Sequence, residues 1–171
     1  MKRYQVCILV MIAVTLASPC FAQSPRDKFV GTWRLVSYID PEPYLGRETK
    51  DPVGYIVYDS TGHMHVQIDR RTDRPKFKAG KAIEGTCEEV KAAMVHYTAY
   101  YGTYEVDEKQ GLIIHYLEGS IFPNEIGATN ERYYDLSADG NRVTYTVPLI
   151  VKGKRTPKSE STRKLIWERV K

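Results

Sequence analysis

The chain has 171 residues and a formal net charge of +4, from 25 lysines and arginines against 21 aspartates and glutamates. This length is typical of one domain. The basic residues are spread among acidic ones, so the composition excludes the concentrated positive surface that nucleic-acid binding requires. We therefore expect one domain that does not bind nucleic acid.

The amino terminus has the pattern of a secretory signal peptide. Met1–Arg3 is positively charged, residues 5–18 form an uncharged apolar run, and Cys20-Phe21-Ala22 matches the small residues before a cleavage site. The run is shorter than the roughly 20 apolar residues that span a bilayer, so a membrane anchor is the weaker alternative. A lipoprotein site at Cys20 is also weaker, because a proline precedes it. We predict cleavage after Ala22 and export to the periplasm or the medium.

The predicted mature domain covers residues 23–171, with residues 1–22 as the signal peptide and no transmembrane segment in the mature chain. Cleavage removes Lys2 and Arg3, which lowers the formal charge from +4 to +2, and leaves Cys87 as the single cysteine. An exported chain with one cysteine has no internal disulfide, so its stability must come from a buried core.

Most of the mature chain is predicted to form β-strands. Residues 31–39 alternate between two faces, which is the period of a half-buried strand. Similar patterns cover 53–59, 63–70, 103–107, 112–118, 129–136, 142–148 and 164–170. Ser60–Gly62 predicts a hairpin turn with a glycine at positive φ. Residues 152–163 are predicted to form a polar loop.

One helix is predicted between the third and fourth strands. Thr86 and Glu89 have the spacing of a capping box, and apolar residues recur near helical spacing from Val90 to Tyr101, where Gly102 ends the run. Short strands joined by hairpins, without βαβ alternation, predict an all-β, eight-stranded antiparallel barrel whose interior can hold one small ligand.

His115 is the most unusual residue of the strand pattern, because it lies between Ile113 and Leu117 on an apolar face. A buried imidazole needs a hydrogen-bond partner, so His115 is either a satisfied core histidine or a ligand contact. Arg132, on the sixth strand, is positioned to meet an acidic or carbonyl group of a ligand.

The third strand has a polar and an apolar face. The polar face carries His63, His65, Gln67 and Asp69, and the apolar face carries Met64, Val66 and Ile68. Either face fits the barrel interior, so the polar one is a ligand surface or is merely solvated. His63 and His65 could join His115 around a metal ion, but no cysteine pair, HExxH motif or acidic cluster accompanies them, and we predict no metal site.

The 13 tyrosines of the chain suit a pocket for a mostly apolar ligand, because a phenol combines apolar area with one hydrogen-bonding end. Many of them will serve only as strand residues. We predict that the ligand-binding residues are Tyr55, His65, Gln67, Tyr100, Tyr104, His115 and Arg132.

The stretch GTWRLVSY resembles the Gly-x-Trp motif that opens the first strand of lipocalins and other calycins. The resemblance implies that Gly31 and Trp33 lie at one end of the barrel and that Arg169 packs across the tryptophan. Together with DPVGYIVYDSTGHMHVQI, AYYGTYEVD, GSIFPNEIG, ERYYDL and LIWERV, this stretch is similar to the bacterial and fungal lipocalin-like domain family. That family implies binding or conversion of small organic molecules. Glu125 stands where relatives often carry a bulky aromatic residue, which implies a different ligand if this position shapes the ligand entrance.

Three functions fit these observations. The favoured one is a binding protein for a small, mostly apolar organic ligand, because catalysis needs several groups in one geometry that a sequence does not show. The second is a cofactor-free isomerase or cyclase, in which His115 or His65 moves a proton while Arg132 and a tyrosine stabilise an oxyanion. The third is a structural envelope protein with a filled barrel. GxSxG and GxGxxG motifs are absent, and we expect no cofactor.

Overall fold

The computed structural model describes residues 24–41 and 49–171. The predicted signal peptide, residues 1–22, lies outside these ranges. Within them, every helix is too short or too polar to cross a membrane.

The described residues form a closed antiparallel barrel. Its strands are β1 (Gly31–Ile39), β2 (Val53–Tyr58), β3 (His63–Asp69), β4 (Tyr97–Asp107), β5 (Leu112–Ser120), β6 (Thr129–Leu136), β7 (Arg142–Val147) and, after a hairpin of β8 (Ile150–Val151) and β9 (Lys154–Arg155), β10 (Arg163–Arg169). Strands β1 to β7 pair in chain order, and β10 pairs with both β7 and β1 to close the barrel. The predicted all-β, eight-stranded barrel is confirmed for the described residues.

The strands form where the sequence alternates between polar and apolar residues. In β3, Met64, Val66 and Ile68 are buried in the core, and the residues between them are exposed. Gly62 ends the preceding turn at φ 95°, a left-handed conformation that glycine adopts without a steric cost. The predicted hairpin between β2 and β3 is therefore confirmed.

The helix α1 (Cys87–Val95) is shorter than predicted. Its capping box is present: the Thr86 hydroxyl accepts from the Glu89 backbone N–H at 3.2 Å, and the Glu89 carboxylate accepts from the Thr86 N–H at 2.9 Å. The extension of this helix to Tyr101 was wrong, because residues 97–102 form the first half of β4.

Gly102 marks a bulge in β4 where the sequence predicted the end of a helix. A β-carbon at this position would collide with the backbone carbonyl of Tyr116 on β5. The glycine thus permits a close approach between two strands. A second difference is the β8–β9 hairpin inside the predicted polar loop, where Lys152 and Gly153 both have positive φ, at 50° and 74°, as a two-residue hairpin turn requires.

One end of the barrel is closed by Trp33 and the chain segment before it. The fully buried Trp33 donates its indole N–H to the carbonyl of Phe29 at 2.8 Å. The Arg169 guanidinium carbon lies 4.2 Å from the centre of the Trp33 ring, and its nitrogens donate to the carbonyls of Lys28 and Val30 at 2.8 and 2.5 Å. Arg169 therefore stacks on the tryptophan that the family resemblance paired with it.

We expect Gly31→Ala to lower the free energy of unfolding by about 2–3 kcal/mol, since an L-residue at this backbone conformation is strained. Gly31 has a φ of 133°, and an added β-carbon would lie 2.8 Å from Nη1 of Arg169. Gly111→Ala is the matched control, because Gly111 has a φ of 65° and open space around it; we expect a loss of about 1 kcal/mol there. Urea unfolding measures both, and equal losses would contradict the account.

Candidate ligand-binding site

A cavity of about 600 Å³ lies inside the barrel. It extends from the middle of the barrel to the end opposite Trp33, where β1 and β3 finish and β10 begins. Part of its wall is apolar, and this part includes Ile56, Val66, Ile68, Val147, Leu165 and Trp167. These side chains lie at the inward positions of their strands, where alternation places every second residue.

His115 lies in the cavity wall with both ring nitrogens beside phenols. Its Nε2 is 2.9 Å from the Tyr58 hydroxyl, and its Nδ1 is 3.0 Å from the Tyr100 hydroxyl. Burial lowers the pKa of His115 well below its usual 6.5, and the positive charge of Arg132 acts in the same direction. Burial also raises the pKa of Tyr58 and of Tyr100, so all three side chains are neutral near pH 7.

Because His115, Tyr58 and Tyr100 are neutral, the donors and acceptors of their hydrogen bonds can be assigned. A neutral imidazole donates through one nitrogen and accepts through the other. One phenol therefore donates to His115, and the other accepts from it and keeps its own O–H for another acceptor. His115 is thus the satisfied core histidine that the sequence analysis offered as one alternative, and it also borders the cavity.

Arg132 supplies a positive charge to the same cavity. It is partly buried, and its Nη1 donates to the backbone carbonyl of Glu131 at 2.8 Å. In residues 24–41 and 49–171, no carboxylate lies within ion-pair distance of its guanidinium. The neighbouring acids have other partners: the Glu131 carboxylate is 2.5 Å from Arg155, and the Glu125 carboxylate accepts from the Ser120 hydroxyl at 3.0 Å.

Three buried donors in the cavity wall lack hydrogen bonds of normal geometry, and two of them are a phenol and an indole. The Tyr145 hydroxyl and the Trp167 indole N–H have no partner of normal geometry in the described part of the chain. Burial raises the pKa of Tyr145, and the Tyr58 hydroxyl lies close enough to act on it as a hydrogen-bonding neighbour, but the two hydroxyls lack normal hydrogen-bond geometry. Buried polar groups in folded proteins almost always have a partner, so each exception needs an explanation.

Arg70 occupies the wall nearer to the open end. It is buried, its guanidinium donates to the hydroxyls of Tyr38 and, at 3.1 Å, of Thr98, and its guanidinium carbon lies 4.7 Å from the centre of the Tyr38 ring. Its Nε has no partner in the residues described. Polar groups of the cavity therefore lie at two levels, around His115 and around Arg70.

The structure brings together three of the predicted ligand-binding residues. Tyr100, His115 and Arg132 all line the cavity. Tyr104 is buried outside the cavity lining, where its hydroxyl donates to the carbonyl of Asp59 at 3.0 Å. Tyr145 and Trp167 were not among the predicted ligand-binding residues. Their strand alternation indicated burial, but nothing in the sequence showed that their polar atoms would lack partners.

The other predicted residues lie on the outer surface of the barrel. Tyr55 is 51% exposed, and His65 and Gln67 are also exposed, because the apolar residues of β2 and β3 take the inward positions. The polar face of β3 is therefore the solvated one, which was one of the two alternatives left open by the sequence, and His65 and Gln67 do not line the interior cavity. His65 is also separated from His115 by the barrel wall, and no group of three potential metal ligands occurs in the described ranges.

Closed barrels with an internal cavity form a class of proteins that enclose small molecules, and the fold and cavity of this chain are those of that class. The sequence profile of the lipocalin-like domain family matches residues 30–170. The chain therefore belongs to the lipocalin-like domain family, which confirms the resemblance seen in the sequence.

The chain is also similar to the 4'-hydroxy-3'-methoxypropiophenone carrier protein ppsC of Aspergillus oryzae (strain ATCC 42149 / RIB 40). The two are 32% identical over 96 residues, which cover 53% of this chain and 86% of that relative. The lipocalin-like barrel and this carrier relative both support small-molecule binding.

We expect the buried His115 to make stability depend on pH. Because its pKa is lower in the folded protein than in the unfolded chain, the unfolded chain binds the proton first as the pH falls. The stabilisation by neutral His115 is thus present above pH 6.5 and is lost progressively below it. Relative to His115→Gln, the wild type should lose up to about 1.4 kcal/mol per pH unit between pH 6.5 and 5.

Urea unfolding followed by circular dichroism at pH 7, 6 and 5 measures this difference. His65→Gln is the matched control, because it makes the same change at an exposed position of β3, and it should retain the pH dependence of the wild type. Parallel pH profiles for the wild type and His115→Gln would contradict the assignment of a neutral, buried imidazole.

Proposed function

We propose that this protein is an exported carrier that binds a small, mostly apolar organic molecule inside its barrel. The observation that carries the proposal is two buried donors without partners of normal geometry, the Tyr145 hydroxyl and the Trp167 indole N–H, in a cavity wall that combines apolar with polar and charged side chains. A ligand oxygen that accepts from these donors would satisfy them, while its carbon skeleton packs on the apolar side chains.

The dimensions of the cavity support this proposal. Its volume of about 600 Å³ lies within the range of about 300–1,000 Å³ that is usual for small-molecule sites. A structural protein whose barrel is filled by its own side chains would leave no such space. The cavity therefore favours a binding protein over the filled-barrel alternative.

The relative from Aspergillus oryzae suggests the kind of ligand. Its name describes a carrier of 4'-hydroxy-3'-methoxypropiophenone, a compound with an aromatic ring, a ketone and a phenol. Such a compound combines apolar area with acceptor oxygens, as the wall of this cavity requires. We therefore propose a small aromatic or similar ligand that carries at least one carbonyl or phenolic oxygen.

Carriage is favoured over catalysis by the hydrogen bonds of His115. Both ring nitrogens already face phenols, so the imidazole has no free nitrogen with which to take a proton from a substrate. Export is supported by the signal-peptide pattern of residues 1–22. Amino-terminal sequencing of the exported chain tests this part: Gln23 is the expected first residue, and an intact Met1 on a chain retained in the cytoplasm would contradict it.

We expect saturable binding of 4'-hydroxy-3'-methoxypropiophenone at one site, with quenching of tryptophan fluorescence. Trp167 lines the cavity, so Trp167→Phe should remove most of the quenching. Tyr145→Phe should weaken binding about two- to tenfold, the usual value of one hydrogen bond.

Tyr116→Phe is the matched control for the loss of a phenolic hydroxyl. Its side chain is 36% exposed, and its hydroxyl donates to Glu105 at 3.1 Å rather than lining the cavity, so the affinity should stay at the wild-type value. A fluorescence titration that never saturates, or equal losses in Tyr145→Phe and Tyr116→Phe, would overturn the proposed site.

A further inference from the structure

The positive and negative side chains that line the cavity are unequal in number. The arginines that line it are Arg70, Arg132, Arg155 and Arg163, and the acids that line it are Asp40, Glu125 and Glu131. Arg155 pairs with Glu131 at 2.5 Å and Arg163 with Asp40 at 2.9 Å. The remaining charges are two arginines against one carboxylate, and His115, Tyr100 and Tyr145 are neutral. The cavity lining thus carries one excess positive charge.

Arg132 is the best placed of these residues to meet a negative ligand. Arg70 is held by the hydroxyls of Tyr38 and Thr98, whereas the hydrogen bond of normal geometry that Arg132 makes within the described ranges goes to a backbone carbonyl. The Arg132 guanidinium also lies close enough to the Tyr100 hydroxyl to act on the pKa of that phenol. The charge of Arg132 reaches the centre of the site, since it acts on the pKa of His115 and of Tyr145. A partly buried charge without a counter-ion is costly, and a bound anion would remove that cost.

We propose that the cavity binds its ligand as an oxyanion, an ionised phenol, enol or carboxylic acid whose negative oxygen accepts from Arg132 and Tyr145. The inference rests on the proposed function and specifies the charge of the ligand in the same site.

The strand register places the two donors next to each other. On β6 and β7, Tyr134 lies opposite Tyr145, and Arg132 is two residues before Tyr134 on the same inward face. Arg132 and Tyr145 are therefore diagonal neighbours, a spacing of about 7–8 Å between backbones that long side chains bridge. Leu165 lies opposite Tyr145 on the other side, so Trp167 is the diagonal neighbour on β10 and offers a further donor.

The donor types also favour an anion over a neutral acceptor. A guanidinium and an indole N–H can only donate, and the Tyr145 hydroxyl is free to donate. Hydrogen bonds that end on an ionised oxygen are roughly twice as strong as those between neutral groups. Glu125 opposes the anion, but its carboxylate lies toward Ser120, from which it accepts at 3.0 Å, and the charge of Arg70 balances it.

The test compares 4-nitrophenol, whose phenolate has a distinct visible absorption, with 4-nitroanisole, which has the same skeleton and cannot ionise. At a pH where free 4-nitrophenol is mostly neutral, the bound probe should show the phenolate band. Its pKa should fall by at least about one unit, which corresponds to tenfold tighter binding of the phenolate than of the neutral phenol. The affinity for 4-nitrobenzoate is then compared with that for the phenolate of 4-nitrophenol. Tighter binding of 4-nitrobenzoate indicates a carboxylate ligand, and tighter binding of the phenolate indicates a phenolate or enolate.

Variants assign the preference to Arg132. Arg132→Met should abolish the preference for the phenolate and retain 4-nitroanisole, whereas Arg132→Lys should keep part of the preference. Arg142→Met is the matched control, because the Arg142 side chain is 55% exposed, and it should behave as the wild type. Tyr145→Phe should reduce the preference for the phenolate while the charge of the cavity stays the same. This variant keeps the test valid if Arg132→Met does not fold.

Three outcomes would overturn the inference. If 4-nitroanisole binds and the bound phenol stays neutral, the inference fails while the proposed function stands. If Arg70→Met, and not Arg132→Met, abolishes the preference, the assignment to Arg132 is wrong. If neither probe binds to the wild type, both the inference and the proposed function are overturned.

Discussion

The stacking of the Arg169 guanidinium on Trp33 determines which end of this barrel is closed. The same guanidinium donates to carbonyls before β1 and, at 3.1 Å, to the carbonyl of Gly140 between β6 and β7. One cation on β10 therefore joins the segment before β1 and the β6–β7 loop across the barrel end. With this end filled by Trp33 and Phe29, the remaining interior space extends toward the opposite end. The position of the cavity is therefore a consequence of this closure.

Inside the cavity, polar groups differ in whether the protein itself satisfies them. His115 has a phenol at each nitrogen and serves the fold. Tyr145 and Trp167 present donors that have no partner of normal geometry in the described residues, and Arg132 carries a charge with no carboxylate within ion-pair distance among them. Unsatisfied buried donors reduce stability, so their concentration on one wall is better explained by a ligand than by folding.

Strand periodicity in the sequence was enough to predict the barrel, and β6 was predicted at its observed bounds of Thr129–Leu136. The periodicity failed at residues 97–102, where the same apolar spacing fits a helix and a strand and pairing with β3 and β5 decides the outcome. The site was predicted only in part, at Tyr100, His115 and Arg132. Which face of β3 points inward, and which donors lack partners, depend on contacts between strands distant in sequence.

Native mass spectrometry of the protein purified from its own source cells tests the central claim, that the barrel interior is a site for a small molecule. The account predicts an excess mass of a single organic molecule per chain, which disappears when the protein is denatured. The released molecule should carry a carbonyl, phenolic or acidic oxygen. Two results together would contradict the account. The protein would have the same mass under native and denaturing conditions, and the unloaded protein would bind no small aromatic compound that carries an oxygen.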